Sequence, residues 1–347
     1  MQSIKSRIHA IKIKLSPITS KLQKYIPYSP IVITRRIVQV YFFLMINLYL
    51  FTDVLAYFGI DKEKIFPINS IYYFLKDNIS FFYKYLPAFP IEQSVASPFT
   101  TIPGVLDILQ LRVTSAEFPY LEIAIILLTA VFLGRLFCGW VCPFGLIQDI
   151  LAFLPIKKYE PTPSVNKDFA QMKYFILGVI LLLVSWVGIS KARGVGEALV
   201  SALGPYSRIP WAVISPVDTI ETFIPALLEN ERFFRLIEKS RFFDLSPYFW
   251  IRFAFLIFII ILSLFIRRGY CRYFCPTGAL MGVLSKYSLL HFKINPVRCT
   301  NCELCEKACP MGIRFLREGS VIKSPECIYC GNCWAACPEK AIRPRFL

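Results

Sequence analysis

Four stretches of the chain are almost continuously apolar: residues 37–58, 120–137, 174–190 and 249–266. Each reaches the roughly 17 to 25 helical residues needed to cross a hydrocarbon core of about 30 Å, so the pattern predicts four transmembrane helices. The last is the clearest, and the third extends naturally back through Phe169. The first begins only after 36 residues and has no small-residue cleavage site behind it, which argues against a secretory signal. Before it, Ile8, Ile11, Leu15, Ile18, Leu22 and Ile26 recur at steps of three and four, with Lys5, Lys12, Lys21 and Lys24 between them. That is the pattern of a basic amphipathic helix at a membrane surface, although Pro17 would break it and leave a basic arm.

The polar segments between the runs differ in charge, and topology follows their lysine and arginine bias. Residues 1–36 carry eight basic and no acidic side chains. The 59–118 segment has five basic and six acidic, the 191–247 segment seven of each, and the tail 267–347 thirteen basic and five acidic. The expectation is a multi-pass protein of the cytoplasmic (inner) membrane, with the N-terminus, the 138–173 connection and the C-terminus cytoplasmic. The two near-neutral segments would be extracytoplasmic loops.

Composition narrows the classes. Of 347 residues, 56% are hydrophobic and 18% charged, while 39 Lys and Arg against 23 Asp and Glu give a formal charge of +16. A nucleic-acid surface would gather that charge on a soluble face, whereas here it lies between apolar runs, so no nucleic-acid partner is expected. Twelve cysteines are too dilute for a disulfide-stapled scaffold.

Their spacing carries the chemistry. The second apolar run ends in Cys138-Gly-Trp-Val-Cys142-Pro143-Phe-Gly145, and the fourth is followed by Cys271-Arg-Tyr-Phe-Cys275-Pro276-Thr-Gly278. Both are C-x3-C-P-x-G, which reads as an internal duplication of two parallel helical hairpins. Four residues apart on a helix, the thiols of each pair would share a face. Each proline would end one helix or open the next. Cys138, Cys142, Cys271 and Cys275 are then a candidate redox dithiol set, ligands to a further metal or cluster, or part of a quinol pocket; otherwise they are small apolar side chains at helix ends.

Near the C-terminus stand Cys299-x2-Cys302-x2-Cys305-x3-Cys309-Pro310 and Cys327-x2-Cys330-x2-Cys333-x3-Cys337-Pro338. This is the bacterial ferredoxin run, in which the fourth cysteine of each run serves the other cluster. One [4Fe–4S] cluster would take Cys299, Cys302, Cys305 and Cys337, and a second Cys327, Cys330, Cys333 and Cys309. Zinc ribbons want pairs of cysteines separated by a longer stretch. The fold expectation is therefore an all-α membrane bundle of four transmembrane helices over residues 37–290, preceded by a cytoplasmic arm (1–36). A small α+β two-cluster ferredoxin domain would follow (291–347).

Other polar residues offer less. With only His9 and His291, and neither in an apolar run, a bis-histidine haem is not expected; His291 is either a proton relay or an interfacial side chain. Asp53, Glu122 and Arg252 fall toward the outer ends of the expected spans, as an ion-pair set or a proton exit. Arg135, three residues before Cys138, would lower a thiol pKa or hold a lipid headgroup.

The two C-x3-C-P motifs followed by the double cysteine run resemble the membrane polyferredoxin family that includes NapH-type, NosR-type and MauN-type proteins. The likeness covers about residues 119–340. It is greater to the short NapH-like form, because the extracytoplasmic flavin domain of NosR-type proteins is missing. The resemblance implies an electron-transfer subunit between membrane quinol, or a quinol-oxidising partner, and other redox subunits, with lipid and quinone as further partners. A related branch of CcoG-like proteins implies the alternative, a copper or thiol reductase acting through the C-x3-C-P cysteines. The 59–118 and 191–247 segments contain no cysteine or histidine, so they hold no c-type haem.

Overall fold

The structure is a computed structural model that describes residues 29–48, 68–97, 100–195, 200–201, 203–223, 247–314, 316, 321–322 and 324–346. The basic pattern before residue 29, with His9, and also Asp53 lie outside the described residues.

Helices dominate, and proline sets where many begin. Pro30, Pro143, Pro163 and Pro276 each stand at the start of a helix, where a missing N–H costs nothing and the fixed φ is already helical. In chain order the elements are α1 (Pro30–Ile46), α2 (Ile68–Tyr85), α3 (Val105–Thr114), α4 (Tyr120–Leu133), α5 (Leu136–Trp140), α6 (Pro143–Phe153) and α7 (Pro163–Ala192). After short turns over 204–223 come α8 (Pro247–Phe265), α9 (Gly269–Tyr273) and α10 (Pro276–Ser285). The C-terminal part adds β1 (Leu290–Ile294), α11 (Leu304–Lys307), β2 (Val321–Ile322), α12 (Asn332–Ala336) and β3 (Ile342–Phe346). The three strands form one antiparallel sheet in the order β2-β1-β3.

The four-span expectation is corrected here. Among the described residues one helix, α7, is long and apolar enough to cross a membrane, and the multi-pass inner-membrane placement read from four spans falls with the other three. The reasons are local. The second apolar run is cut at Gly134, whose φ of 60° turns the chain after a helix of 14 residues. At 1.5 Å per residue that helix is about 21 Å long, short of the core thickness. The apolar part of α8 is also short, Trp250–Phe265. The first helix starts at Pro30, ends at Ile46 and buries Arg35 and Gln39, which an apolar window over 37–58 does not anticipate.

The duplicated halves interlock. The helix after the second motif, α10, packs on α4 of the first half, and the helix after the first motif, α6, packs on α8 of the second. Helix α3 braces α4 and α7. Within the 59–118 segment Ala88, Phe89, Ile91, Glu92, Gln93 and Ser94 are buried, and Phe89 and Ile91 belong to the same apolar core as the motif cysteines. Outward faces of α4, α7 and α8 remain strongly apolar, with Leu128, Phe175, Leu182, Trp186 and Ile261 exposed.

Candidate functional site

The two cysteine runs wind identically. In the first, Asn301 and Glu303 flank Cys302 with φ of 54° and 57°; in the second, Tyr329 and Gly331 flank Cys330 with 51° and 76°. Three residues beyond the fourth cysteine of each run, Gly312 and Lys340 are again left-handed, at 66° and 49°. Non-glycine residues seldom adopt this conformation, so its recurrence at equal offsets marks a backbone shaped for a purpose. Alternating hands turn successive N–H groups toward one side and make a concavity that suits an anion.

The runs enclose two cavities. Cys299, Cys302, Cys305 and Cys337 line one, with Ile294, Leu316 and Ile342 in its wall. Cys309, Cys327, Cys330 and Cys333 line the other, walled by Phe292, Met311, Ile322 and Ile328. Among the described residues no three His, Cys, Asp or Glu side chains are positioned to hold a metal ion. A cubane asks for a different arrangement, four thiolates around a cavity, each for its own iron. The donor set fits that demand. Burial pushes the Cys309, Cys327 and Cys333 thiols above their ordinary range and Cys305 to about 11, so thiolates form here when a metal takes up their charge. The Ala341 N–H donates to Cys337 Sγ at 3.3 Å. Beside the second cavity, the buried Arg35 guanidinium interacts electrostatically with Cys330, and its Nε and Nη1 have no hydrogen-bond partner among the described residues. A negatively charged group in that cavity would answer it.

This second cavity faces the helical part. Trp140 Nε1 donates to the Tyr329 carbonyl at 2.9 Å, and Arg135 donates to the Pro325 carbonyl and to Glu326 Oε2, both at 3.0 Å. Lys173 and Tyr174 close on the same Glu326 carboxylate. Gly139 permits the approach, since a Cβ there would overlap the Ile328 carbonyl oxygen. Arg135 thus ties the bundle to the cysteine loop instead of meeting a headgroup.

The C-x3-C-P motifs differ from the shared-face helix expected of them. Cys138 and Cys271 are the third residues of the short helices α5 and α9, and the helix ends before Cys142 and Cys275, which are the N-caps of α6 and α10. Cys275 Sγ accepts from the Gly278 N–H at 3.2 Å. All four thiols are buried, and Cys271 Sγ accepts from Gln148 Nε2 at 3.0 Å. Each half reaches across to the other. A Cβ at Gly278 would lie 2.7 Å from Arg135 Nη2, and one at Gly145 3.4 Å from Arg268 Nη2. The missing side chain of Gly278 is therefore the space in which Arg135 lies, and Arg268 stands in contact over Gly145. Arg268 also donates to Asp149 through Nε and Nη2, both at 2.8 Å, and to the Cys138 carbonyl at 2.9 Å.

Sequence reasoning missed Glu92. Its buried carboxylate accepts from Trp211 Nε1 at 2.5 Å, Thr277 Oγ1 at 2.6 Å and Tyr270 OH at 3.1 Å, and Cys275 Sγ donates to it at 3.7 Å. Burial pushes its pKa above the usual carboxylate value. A lone acid in a proline-rich and aromatic stretch gives no local signal of such a place. The other singled-out groups separate: Arg252 pairs with Asp218. Glu122 has Arg112 Nε at 3.8 Å, and the His291 ring nitrogen Nδ1 meets the Leu289 carbonyl at 3.1 Å.

Two family models match these segments. A 4Fe-4S binding domain matches residues 120–160 and 248–296, which hold the two C-x3-C-P motifs, and a 4Fe-4S dicluster domain matches 291–338. The uncharacterized protein MJ0750 of Methanocaldococcus jannaschii is 26% identical over 64% of this chain and 76% of its own length. The ferredoxin-type protein NapH of Haemophilus influenzae is 26% identical over 63% of this chain and 65% of its own. The regulatory protein NosR of Stutzerimonas stutzeri is 26% identical over 58% of this chain and 23% of its own. The chain is a distant relative of the NapH, NosR, NirI and YccM-like 4Fe–4S membrane ferredoxins. That relationship links it at family level to 4Fe–4S electron-transfer proteins and singles out no one member. No solved structure matches it.

Proposed function

We propose that this chain is an electron-transfer protein that takes electrons from a membrane quinol, or from a quinol-oxidising partner, and exchanges them with another redox protein. The observation that carries this reading is the pair of cavities, each ringed by four cysteines drawn from both runs. Cys299, Cys302, Cys305 and Cys337 would hold one [4Fe–4S] cluster, and Cys309, Cys327, Cys330 and Cys333 the other, supplying one-electron chemistry when bound. The chain's own part is to shape that chemistry. Backbone N–H groups and buried apolar walls set the polarity around the thiolates, and Arg35 offers a positive charge near Cys330. The exposed apolar faces of α4, α7 and α8 supply surface for lipid and for a quinone. The test is anaerobic. Purified protein is expected to hold about eight irons and eight labile sulfides, and a reduced quinol analogue is expected to bleach their visible absorbance. Far fewer irons defeats the two-cluster assignment, and full iron with no bleaching defeats the quinol.

A further inference from the structure

The sheet carries a charge arrangement that stability does not explain. In the β1–β3 ladder Lys293 stands directly opposite Arg343, and the next position on the same face pairs His291 with Arg345. Like charges directly opposite each other destabilise a sheet. Lys293, Arg343 and Arg345 are exposed, as are Arg298 and Lys340 beside them, and none of the five has a carboxylate partner among the described residues. Together they line one open groove.

The groove adjoins the first cysteine cavity, sharing Ile294, Arg298 and Ala341 with its wall. Here Cys302 is exposed, whereas the second cavity is turned toward the helices through Trp140 and Arg135. Electron exchange with another protein needs close approach, and the first cavity is the one that offers it.

We infer that this basic groove is the docking surface for a soluble, acidic one-electron carrier protein that exchanges electrons at the cavity ringed by Cys299, Cys302, Cys305 and Cys337. The inference rests on the two-cluster reading for its chemistry. Each encounter moves one electron, so the carrier gains what this chain loses, or the reverse, and no atom is transferred. A protein suits the groove better than a lipid surface, because the charges border a cysteine cavity at which Cys302 is exposed, and electron exchange there needs a partner that carries its own redox centre. Complementary charge acts mainly on the rate of encounter.

The probe is a fluorescently labelled plant-type [2Fe–2S] ferredoxin, an acidic protein, titrated anaerobically with the full chain in low and in moderate salt. The triple variant Lys293→Gln/Arg343→Gln/Arg345→Gln is expected to bind about ten-fold more weakly at low salt and to lose most of the salt dependence, with electron exchange in stopped flow slowed alike. A control, Lys157→Gln/Lys167→Gln/Arg193→Gln, removes equal charge from exposed sites elsewhere and is expected to bind like the parent. Equal loss in the control, or no loss in the triple variant, overturns the inference. So does loss by the triple variant of sedimentation with phosphatidylglycerol vesicles while ferredoxin binding is unchanged. Iron content is measured on every sample: low iron with groove-dependent binding leaves the docking surface standing and removes the two-cluster reading alone.

Discussion

Trp140 donates its indole N–H to the carbonyl of Tyr329, 2.9 Å away, so the residue between the two cysteines of the first C-x3-C-P motif is bonded to the residue before Cys330. One step back along the chain, Gly139 lies against the Ile328 carbonyl with no room for a methyl group. The bundle and the second cysteine loop are thus in backbone contact.

Gly139→Ala should therefore push that loop away. Overpacking at a tight site costs about 1 to 3 kcal/mol, and Trp140→Phe, which removes one hydrogen bond, should cost about 1 kcal/mol. Denaturant unfolding of both variants checks the order. Equal midpoints would show that the contact at Gly139 is slack.

Replacing Cys302 or Cys330 with Ala should each remove about four irons. The two should differ in stability, because Cys302 is exposed while Cys330 is buried where the loop meets the bundle. Thermal unfolding is expected to drop further for Cys330→Ala. A larger drop for Cys302→Ala would contradict the burial argument.

Arg35→Gln removes a buried positive charge near Cys330. A cluster loses stabilisation of its more negative, reduced state when that charge goes, so one of two midpoint potentials should fall while iron content holds. Redox titration followed by electron paramagnetic resonance reads both. Unchanged potentials would mean that Arg35 acts through its ion pair with Asp149 and not on a cluster.

Burial alone would raise the Asp149 pKa, but Arg268, Arg35 and Arg36 hold it well below the usual carboxylate range. A depressed carboxylate contributes stability that is present above its unfolded pKa, about 3.9, and is lost as pH falls toward the folded value. Parent protein should lose stability steadily below about pH 4. Asp149→Asn should be less stable at pH 7 by about 3 to 5 kcal/mol, since it leaves buried arginines uncompensated, and should lack that part of the acid dependence.

Glu221 shows the opposite sign. Burial lifts its pKa to about 8, so between 4.5 and about 8 the folded protein keeps a proton that the unfolded chain gives up. Stability should decline as pH rises through that window. Glu221→Gln should flatten the decline, which unfolding at pH 5 and pH 8 would reveal.

What the sequence discloses depends on how local the physics is. The grouping of the eight C-terminal cysteines into two sets needs only their spacing, and the cavities of the structure are lined by the same two sets. The start of α6 and of α10 is likewise legible in Pro143 and Pro276. The spans are not, because a hydropathy window counts apolar side chains and cannot see that Gly134 turns the backbone or that Arg35 and Gln39 are buried in α1. Glu92 is the furthest from reach. Its partners Trp211, Tyr270 and Thr277 lie 119, 178 and 185 residues away. The shared-face idea for C-x3-C assumed one helix, and the helix ends before the second cysteine in both copies.

Arg135 reaches toward Gly278 and Arg268 toward Gly145, so the arginine of each half meets the motif glycine of the other. A side chain larger than glycine in one motif would therefore be felt first in the opposite half, since a Cβ at Gly278 would stand 2.7 Å from Arg135 Nη2. The two motifs constrain each other's sequence although they lie far apart along the chain.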